Sequence, residues 1–310
     1  MTRHRLMLYA MALGSVTLWG ASFPLTKVAM AEIGPTSLAF LRWAISALVL
    51  LAWLAAGAAR GARRVLGITP AADAAPQTGL ALLVKEHGLT IAWVALTGVT
   101  LFYYLENMAM RYTTATNASV LSNFTSVFIV LISAFLLRER LAVLEWLAMG
   151  LAFVGAVLVS VGASQLSFGG ESLRGDALMV GASFFGAIYS IGGKRLSERH
   201  DPLAVTTLVA AIGALFLLPL ALLEGLHFDL SPRVWAYVLV LGVGAGALAN
   251  LWWMVILRHT RASRAAVALL LIPVVSAALA VTLLREPLTP TIILGALLAQ
   301  PLAQMASDAL

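Results

Sequence analysis

Ten apolar stretches, each long enough to cross a lipid bilayer as an α-helix, account for most of the sequence. They cover about 6–30, 36–58, 89–110, 116–137, 141–163, 175–193, 202–223, 233–257, 263–284 and 288–306. A membrane-spanning helix needs roughly 17–25 apolar residues. Inside lipid a single segment satisfies its own backbone polar groups only as a helix. The pattern therefore predicts an all-α integral membrane protein with ten transmembrane helices.

The composition excludes several other classes of protein. Of 310 residues, 61% are hydrophobic and 11% are charged, whereas soluble proteins carry about 25% charged residues. The net charge of +6 comes without a basic tract, so no nucleic-acid partner is expected. There is no cysteine, no nucleotide-binding glycine loop, no paired histidine motif and no nucleophile elbow. The sequence predicts no enzyme, no metal and no cofactor; the expected partners are the lipid bilayer and a small-molecule substrate.

Lysine and arginine predict the orientation. With the N-terminus in the cytoplasm, fourteen of the 20 lysines and arginines fall in inside segments and four in outside loops. The remaining two, Lys27 and Arg42, lie within spans. Cytoplasmic loops of membrane proteins carry the excess of positive residues. We therefore expect a multi-pass protein of the inner (plasma) membrane with both termini in the cytoplasm.

The two halves of the chain resemble one another. Residues 111–141 and 258–288 are identical at eleven of 31 positions, and the identities include an Arg-x-Thr-x-Ala motif and a Leu-Leu-Arg-Glu motif. This predicts two five-helix repeats, 1–165 and 166–310, with 59–88 as an inserted loop, flexible or partly helical, in the first. Because five is odd, the second repeat enters the membrane inverted, an architecture typical of transporters with a site between the halves.

A shorter echo sets the expected register of the two halves. Gly20-Ala-Ser-Phe23 recurs as Gly181-Ala-Ser-Phe184. The echo places Lys27 opposite Ile188, and the positions equivalent to Arg42 and Glu106, near Val209 and Trp253, are likewise uncharged. We also expect Gly192-Gly193 to end the sixth span.

Several motifs together resemble the EamA family of the drug/metabolite transporter superfamily. They are Trp19-Gly-Ala-Ser-Phe…Lys27, Leu41-Arg-Trp43, Leu137-Arg-Glu-Arg-Leu141 and Leu284-Arg-Glu-Pro-Leu288. The resemblance implies an exporter of small metabolites, often amino acids, with its first four and sixth to ninth helices around a central cavity. The fifth and tenth helices would be peripheral or at a subunit interface, in a monomer or homodimer. Family members often have proline in the fourth span, where this chain has Ser126, so we expect that span to be straighter than the ninth, which contains Pro273.

A first group of residues is predicted to bind substrate. Aromatic rings several residues inside a span are poorly explained by an interfacial belt, and an amide in hydrocarbon requires a partner. The predicted substrate-binding residues are Trp19, Phe23, Tyr103, Asn123, Tyr189, Asn250 and Trp253. Plain helix packing, or hydrogen bonds to a neighbouring helix, is the alternative for each of them.

A second group is predicted to act in gating or as a charge network: Pro24, Lys27, Arg42, Glu106 and Pro273. Ionisable groups within spans are costly and normally face a partner or water. Lys27, Arg42 and Glu106 are expected to form one cluster with a surplus positive charge. Glu106 is the only acidic residue placed well within a span and is the candidate carrier of a coupled proton. The alternatives are a structural ion pair, a snorkelling lysine and an ordinary proline kink.

The sequence thus predicts a secondary transporter that exports small organic metabolites by alternating access. Amino acids with apolar or aromatic side chains are the favoured substrates. Two alternatives remain open at this point. One is a nucleotide-sugar or phosphorylated-metabolite antiporter, which needs several basic residues in the cavity. The other is a non-transporting membrane protein such as a lipid scramblase.

Overall fold

The computed structural model describes residues 3–56, 80–137, 146, 150, 154 and 170–284. Within these residues, eight helices are long and apolar enough to cross a membrane. They are α1 (Arg3–Ala29), α2 (Pro35–Ala56), α3 (Leu80–Tyr112), α4 (Ala115–Leu136), α5 (Gly170–Arg199), α6 (Pro202–Glu224), α7 (Pro232–His259) and α8 (Ala262–Leu284). This confirms the predicted all-α membrane fold, while the predicted spans 141–163 and 288–306 lie outside the described part of the chain.

Proline and short polar side chains define where helices begin. Helices α2, α6 and α7 all start with proline, which has no N–H to leave unpaired in the first turn. The Asp201 carboxylate and the Ser231 hydroxyl cap α6 and α7 by accepting from backbone N–H groups. Helix α6 ends at Gly225, whose φ of +92° is a left-handed conformation that glycine adopts without strain.

Two predicted boundaries were wrong. Helix α3 begins at Leu80, so the last nine residues of the predicted loop 59–88 are helical. Helix α5 does not end at Gly192-Gly193 but continues to Arg199. These glycines allow close packing instead, because a Cβ on Gly192 would meet the side chain of Val94 and one on Gly193 that of Met254, each at 2.5 Å.

Helices α3 and α7 each contain a segment wound as a π-helix, Leu96–Leu101 in α3 and Val240–Leu248 in α7. The Phe102 N–H donates to the Thr97 carbonyl and the Ala249 N–H to the Gly244 carbonyl, both five residues back. Such wide turns leave backbone groups open to other partners and are frequent at functional sites.

Helices α4 and α8 are both interrupted in their middle. In α4 regular winding stops at Leu121 and resumes at Phe124; in α8 it stops at Leu269 and resumes at Ile272. The span with Ser126 is thus interrupted although it lacks the proline that the span with Pro273 contains. No proline is needed in α4, since the Ser122 hydroxyl donates to the Ser119 carbonyl at 2.6 Å and competes with backbone bonding.

The eight helices pack in a pattern that is unchanged when the first four and the last four exchange places. Helix α1 packs on α8 and α7, and correspondingly α5 packs on α4 and α3. Helix α2 packs on α7 as α6 packs on α3, and α2 and α6 pack on each other. Thus each half completes its packing mainly against the other half.

Two lysines reveal the register between the halves. The Lys27 ammonium group donates to the carbonyls of Met110 and Thr113, where α3 ends. The Lys194 ammonium group donates to the carbonyls of Leu257 and Thr260, where α7 ends. We call each arrangement a lysine cap. It satisfies carbonyls that lack a partner within the helix.

The equivalence of Lys27 with Ile188, taken from the Gly-Ala-Ser-Phe echo, was therefore wrong. Lys27 corresponds to Lys194 in the structure, which moves the register of α1 against α5 by six residues. Pro35 and Pro202, which begin α2 and α6, follow in the same register.

Candidate functional site

A central cavity lies between the two groups of helices. It measures about 80 Å³, and about 620 Å³ when its open mouth and the gaps between lining atoms are included. Its lining residues come from α1–α5, α7 and α8: Trp19, Ser22, Phe23, Arg42, Gly98, Phe102, Tyr103, Glu106, Ser122, Thr125, Gly186, Tyr189, Ser190, Asn250, Trp253, Leu269 and Ile272.

Two tryptophans from different halves form one part of the wall. The rings of Trp19 and Trp253 meet edge to face, with centroids 5.6 Å apart at an angle of 72°, a favoured geometry for aromatic pairs. The Trp19 indole N–H donates to the Ala245 carbonyl and the Trp253 indole N–H to the Ser190 hydroxyl, each at 3.1 Å. Both rings are thereby fixed in orientation and turn apolar surface to the cavity.

The wide turn of α7 organises a second part of the wall. The Asn250 amide nitrogen donates to the Ala245 and Gly246 carbonyls, each at 2.9 Å. Its amide oxygen accepts from the Tyr189 hydroxyl at 3.1 Å. Gly98, in the wide turn of α3, is the residue that lets the Tyr189 ring approach, because a Cβ there would overlap that ring. The buried tyrosine and asparagine are thus satisfied by each other and by the backbone.

The third part of the wall carries the charges. Arg42 on α2 is 1% exposed, and its guanidinium group stacks over the Tyr103 ring with Cζ 4.4 Å from the centroid. Its Nη2 reaches the Tyr103 hydroxyl at 3.4 Å. Trp43 supports the tyrosine edge to face at 5.1 Å. Glu106, one helical turn after Tyr103, is 4% exposed and lines the same cavity.

The structure brings most of the predicted site residues to this cavity. Six of the seven predicted substrate-binding residues line it: Trp19, Phe23, Tyr103, Tyr189, Asn250 and Trp253. The seventh, Asn123, is buried at the interruption of α4 and is not among the lining residues. Arg42 and Glu106 of the predicted charge network also line the cavity, whereas Pro24 and Pro273 are buried elsewhere in α1 and α8.

One member of the predicted three-residue charge cluster lies outside the lining of the central cavity. Lys27 caps α3 and lines a separate recess with Glu32 and Arg111 near the ends of α1 and α3. Among the described residues, the charged side chains that line the central cavity are therefore one cation, Arg42, and one anion, Glu106.

A family model described as the EamA-like transporter family matches the chain twice, over residues 6–161 and 173–300. The chain belongs to the EamA-like transporter family. This confirms the resemblance seen in the sequence, and it makes the chain a multi-pass membrane transporter. The cavity between α1–α4 and α5–α8 is accordingly the central cavity of an EamA-like transporter.

Individual relatives agree with this assignment. An uncharacterized transporter of Archaeoglobus fulgidus is 28% identical over 88% of this chain and 87% of its own length. A probable terminal-alkyne amino-acid exporter of Streptantibioticus cattleyicolor is 26% identical over 93% of this chain and 88% of its own. The fold is similar to that of a solved crystal structure, with a TM-score of 0.73 over 97% of this chain and 96% of the other, at 21% identity.

Several lining residues of this EamA-like transporter were not predicted, among them Phe102, Ser190 and Gly186. Phe102 and Ser190 each adjoin a predicted residue, and neighbours in a helix lie about 100° apart, close enough to share one cavity wall. Gly186 faces the edge of Phe102, since a Cβ there would lie 2.8 Å from the Phe102 ring. Its role depends on a contact between helices, which a single sequence does not display.

Proposed function

We propose that this EamA-like transporter exports small organic metabolites, most favourably amino acids with apolar or aromatic side chains, by alternating access around the central cavity. The observation that carries the proposal is the cavity wall, which combines aromatic rings with one cation and one carboxylate. A small amphipathic zwitterion matches this combination of apolar surface and opposite charges. The amino-acid exporter among the relatives supports the same class of substrate.

The symmetric packing of α1–α4 and α5–α8 supports the proposed division into repeats at 1–165 and 166–310, as does the double match of the family model. In such an architecture the two halves rock about the site between them and expose it to each side in turn. The charge distribution of the loops supports an inner-membrane location with both termini in the cytoplasm.

Phosphorylated metabolites are less well suited to this cavity. A phosphate group in a membrane cavity requires several cationic partners, and Arg42 is the one lysine or arginine among the lining residues that the structure describes. Glu106 would in addition repel a phosphate. Transport is driven by the substrate gradient or by a coupled proton, for which Glu106 is the carboxylate on the cavity wall.

Counterflow in proteoliposomes tests the proposal. Vesicles loaded with unlabelled amino acid should accumulate the labelled amino acid, whereas vesicles loaded with sugar phosphate should not. Trp253→Ala should lower the rate at least about tenfold, the effect of about 1.4 kcal/mol of lost binding. Trp93→Ala is the matched control, because Trp93 is 56% exposed and lies outside the cavity lining. Counterflow that is absent with every amino acid, or equal losses in the two variants, would contradict the proposal.

A further inference from the structure

Most polar side chains on the wall of the cavity already have hydrogen-bond partners within the protein. The indole N–H groups of Trp19 and Trp253, the Tyr189 hydroxyl and the Asn250 amide are paired as described above. The Ser22, Ser122 and Ser190 hydroxyls donate to backbone carbonyls of their own helices. These groups shape the wall, and a ligand would gain little by competing for them.

Arg42 is an exception. Its Nε and Nη1 atoms are buried and have no hydrogen-bond partner in the described part of the chain. A guanidinium group has five N–H donors, and among the described residues the one partner of this group is the Tyr103 hydroxyl, which Nη2 reaches. The protein therefore holds a cation on the cavity wall with most of its donors unused.

Glu106 is the second exception. Among the described residues no hydrogen bond reaches its carboxylate, and no cation lies within the 4.0 Å of an ion pair. Arg42 is the charged side chain that interacts electrostatically with it. A buried charge without a close partner is strongly unfavourable. The structure thus keeps a cation and a carboxylate apart in one cavity, where direct pairing would have satisfied both.

We propose that Arg42 and Glu106 are the two halves of a recognition site for the zwitterionic head of an α-amino acid. The substrate carboxylate accepts hydrogen bonds from Arg42, and the substrate ammonium group donates to Glu106. The substrate side chain occupies the part of the cavity bounded by Trp19 and Trp253. This inference rests on the proposed function and adds which groups of the substrate bind to which residues.

The arrangement predicts a requirement for both charges on one molecule. An organic acid without an amino group leaves Glu106 unpaired, and an amine without a carboxylate leaves Arg42 unpaired. Sites that leave buried polar groups unpaired with the wrong ligand reject it strongly. We therefore expect the deaminated acid and the decarboxylated amine each to bind at least about 100-fold more weakly than the parent amino acid.

Ligand binding to the purified full-length chain tests this, measured by thermal shift and by competition in counterflow. The probes are L-leucine with 4-methylpentanoate and 3-methylbutylamine, and L-phenylalanine with 3-phenylpropanoate and 2-phenylethylamine. Binding of either amino acid with rejection of both of its analogues supports the inference. If an amino acid binds but its acid or its amine binds equally well, the inference is overturned while the proposed function stands. If the protein neither binds nor transports any amino acid, the proposed function itself fails.

Two charge-removing variants locate the two contacts. Glu106→Gln should weaken the binding of L-leucine at least about 100-fold and leave the binding of 4-methylpentanoate unchanged. Arg42→Gln should weaken the binding of L-leucine and leave the binding of 3-methylbutylamine unchanged. A structural role would lower binding of every ligand alike and would overturn the inference. Unchanged affinity of Glu106→Gln for L-leucine, with loss of the pH dependence of transport, would assign Glu106 to proton coupling instead. Where a variant does not fold, the ranking of the six probes on the wild-type chain decides.

Discussion

The two halves of the described bundle present the same positions to the cavity but different side chains. In the register of the lysine caps, most lining residues of α1, α3 and α4 have a counterpart in α5, α7 and α8 that also lines the cavity. The pairs are Trp19 and Gly186, Ser22 and Tyr189, Phe23 and Ser190, Tyr103 and Asn250, Glu106 and Trp253, Ser122 and Leu269, and Thr125 and Ile272. In most pairs one side chain is much larger than the other.

The two halves thus share their backbone features but not their charged side chains. Lysine caps, π-helical segments and interrupted helices occur at corresponding places in both halves. Arg42 and Glu106 have the uncharged counterparts Val209 and Trp253, so the charges belong to the first half alone. A duplicated backbone thus supplies a pocket with pseudo-symmetric positions, and unequal substitution makes that pocket recognise a ligand that itself has unlike ends.

The lysine cap of the second half should be the more important of the two for stability. Lys194 is buried, donates to two carbonyls at 2.8 and 2.7 Å, and forms an ion pair with Glu198 at 2.9 Å. Hydrogen bonds that involve a charged group contribute about 1.5–3 kcal/mol each. Lys194→Ala should therefore lower the free energy of unfolding by about 3 kcal/mol, measured by thermal unfolding in detergent. Lys85→Ala, at an exposed lysine on α3, is the control and should leave unfolding unchanged.

The lysine cap of the first half should show the same effect at a smaller size. Lys27 is only partly buried, so water can replace some of the hydrogen bonds that its ammonium group donates to the carbonyls at the end of α3. We expect Lys27→Ala to lower the free energy of unfolding by about 1–2 kcal/mol in the same assay. If Lys27→Ala abolished transport without any loss of stability, Lys27 would act in gating as the sequence suggested. The equivalence of the two caps would then be limited to geometry.

The smallest effect is expected at Pro273. Helix α4 is interrupted at the same level as α8 without a proline, so the interruption of α8 does not depend on one. Pro273→Ala should change the free energy of unfolding by less than about 1 kcal/mol and should leave counterflow near the wild-type rate. A large loss of transport at normal stability would show that the interrupted helices differ in function although they agree in geometry.

Hydropathy was sufficient to predict most of the fold. The start of α2 at Pro35 and the range of α6, Pro202–Glu224, lie within one residue of their predicted positions, because long apolar runs bounded by polar loops have few alternatives in a bilayer. The register between α1 and α5 was not predictable in this way. Apolar helix faces resemble one another closely, and the true marker is a lysine that binds carbonyls more than sixty residues away.

The site was predictable to the extent that polar and aromatic residues inside spans are unusual. Arg42, Glu106, Tyr189 and Asn250 were identified on that ground, and all four line the cavity. Gly186 could not be identified in this way, because a glycine in a span is not unusual. The charge of Lys27 did not indicate where its side chain lies, since a lysine near the end of a span can cap a helix as well as line a cavity. What the sequence lacked was the set of contacts between the halves.

The carbonyl of Ala245 accepts hydrogen bonds from one side chain of each half, the Trp19 indole and the Asn250 amide. It belongs to the π-helical segment of α7. Each residue of an α-helix advances about 100° around its axis. Rewinding this segment as an ordinary α-helix would therefore rotate the part of α7 that carries Trp253 relative to α1. The Ala245 carbonyl thus links the position of the Trp19 ring to the winding of α7.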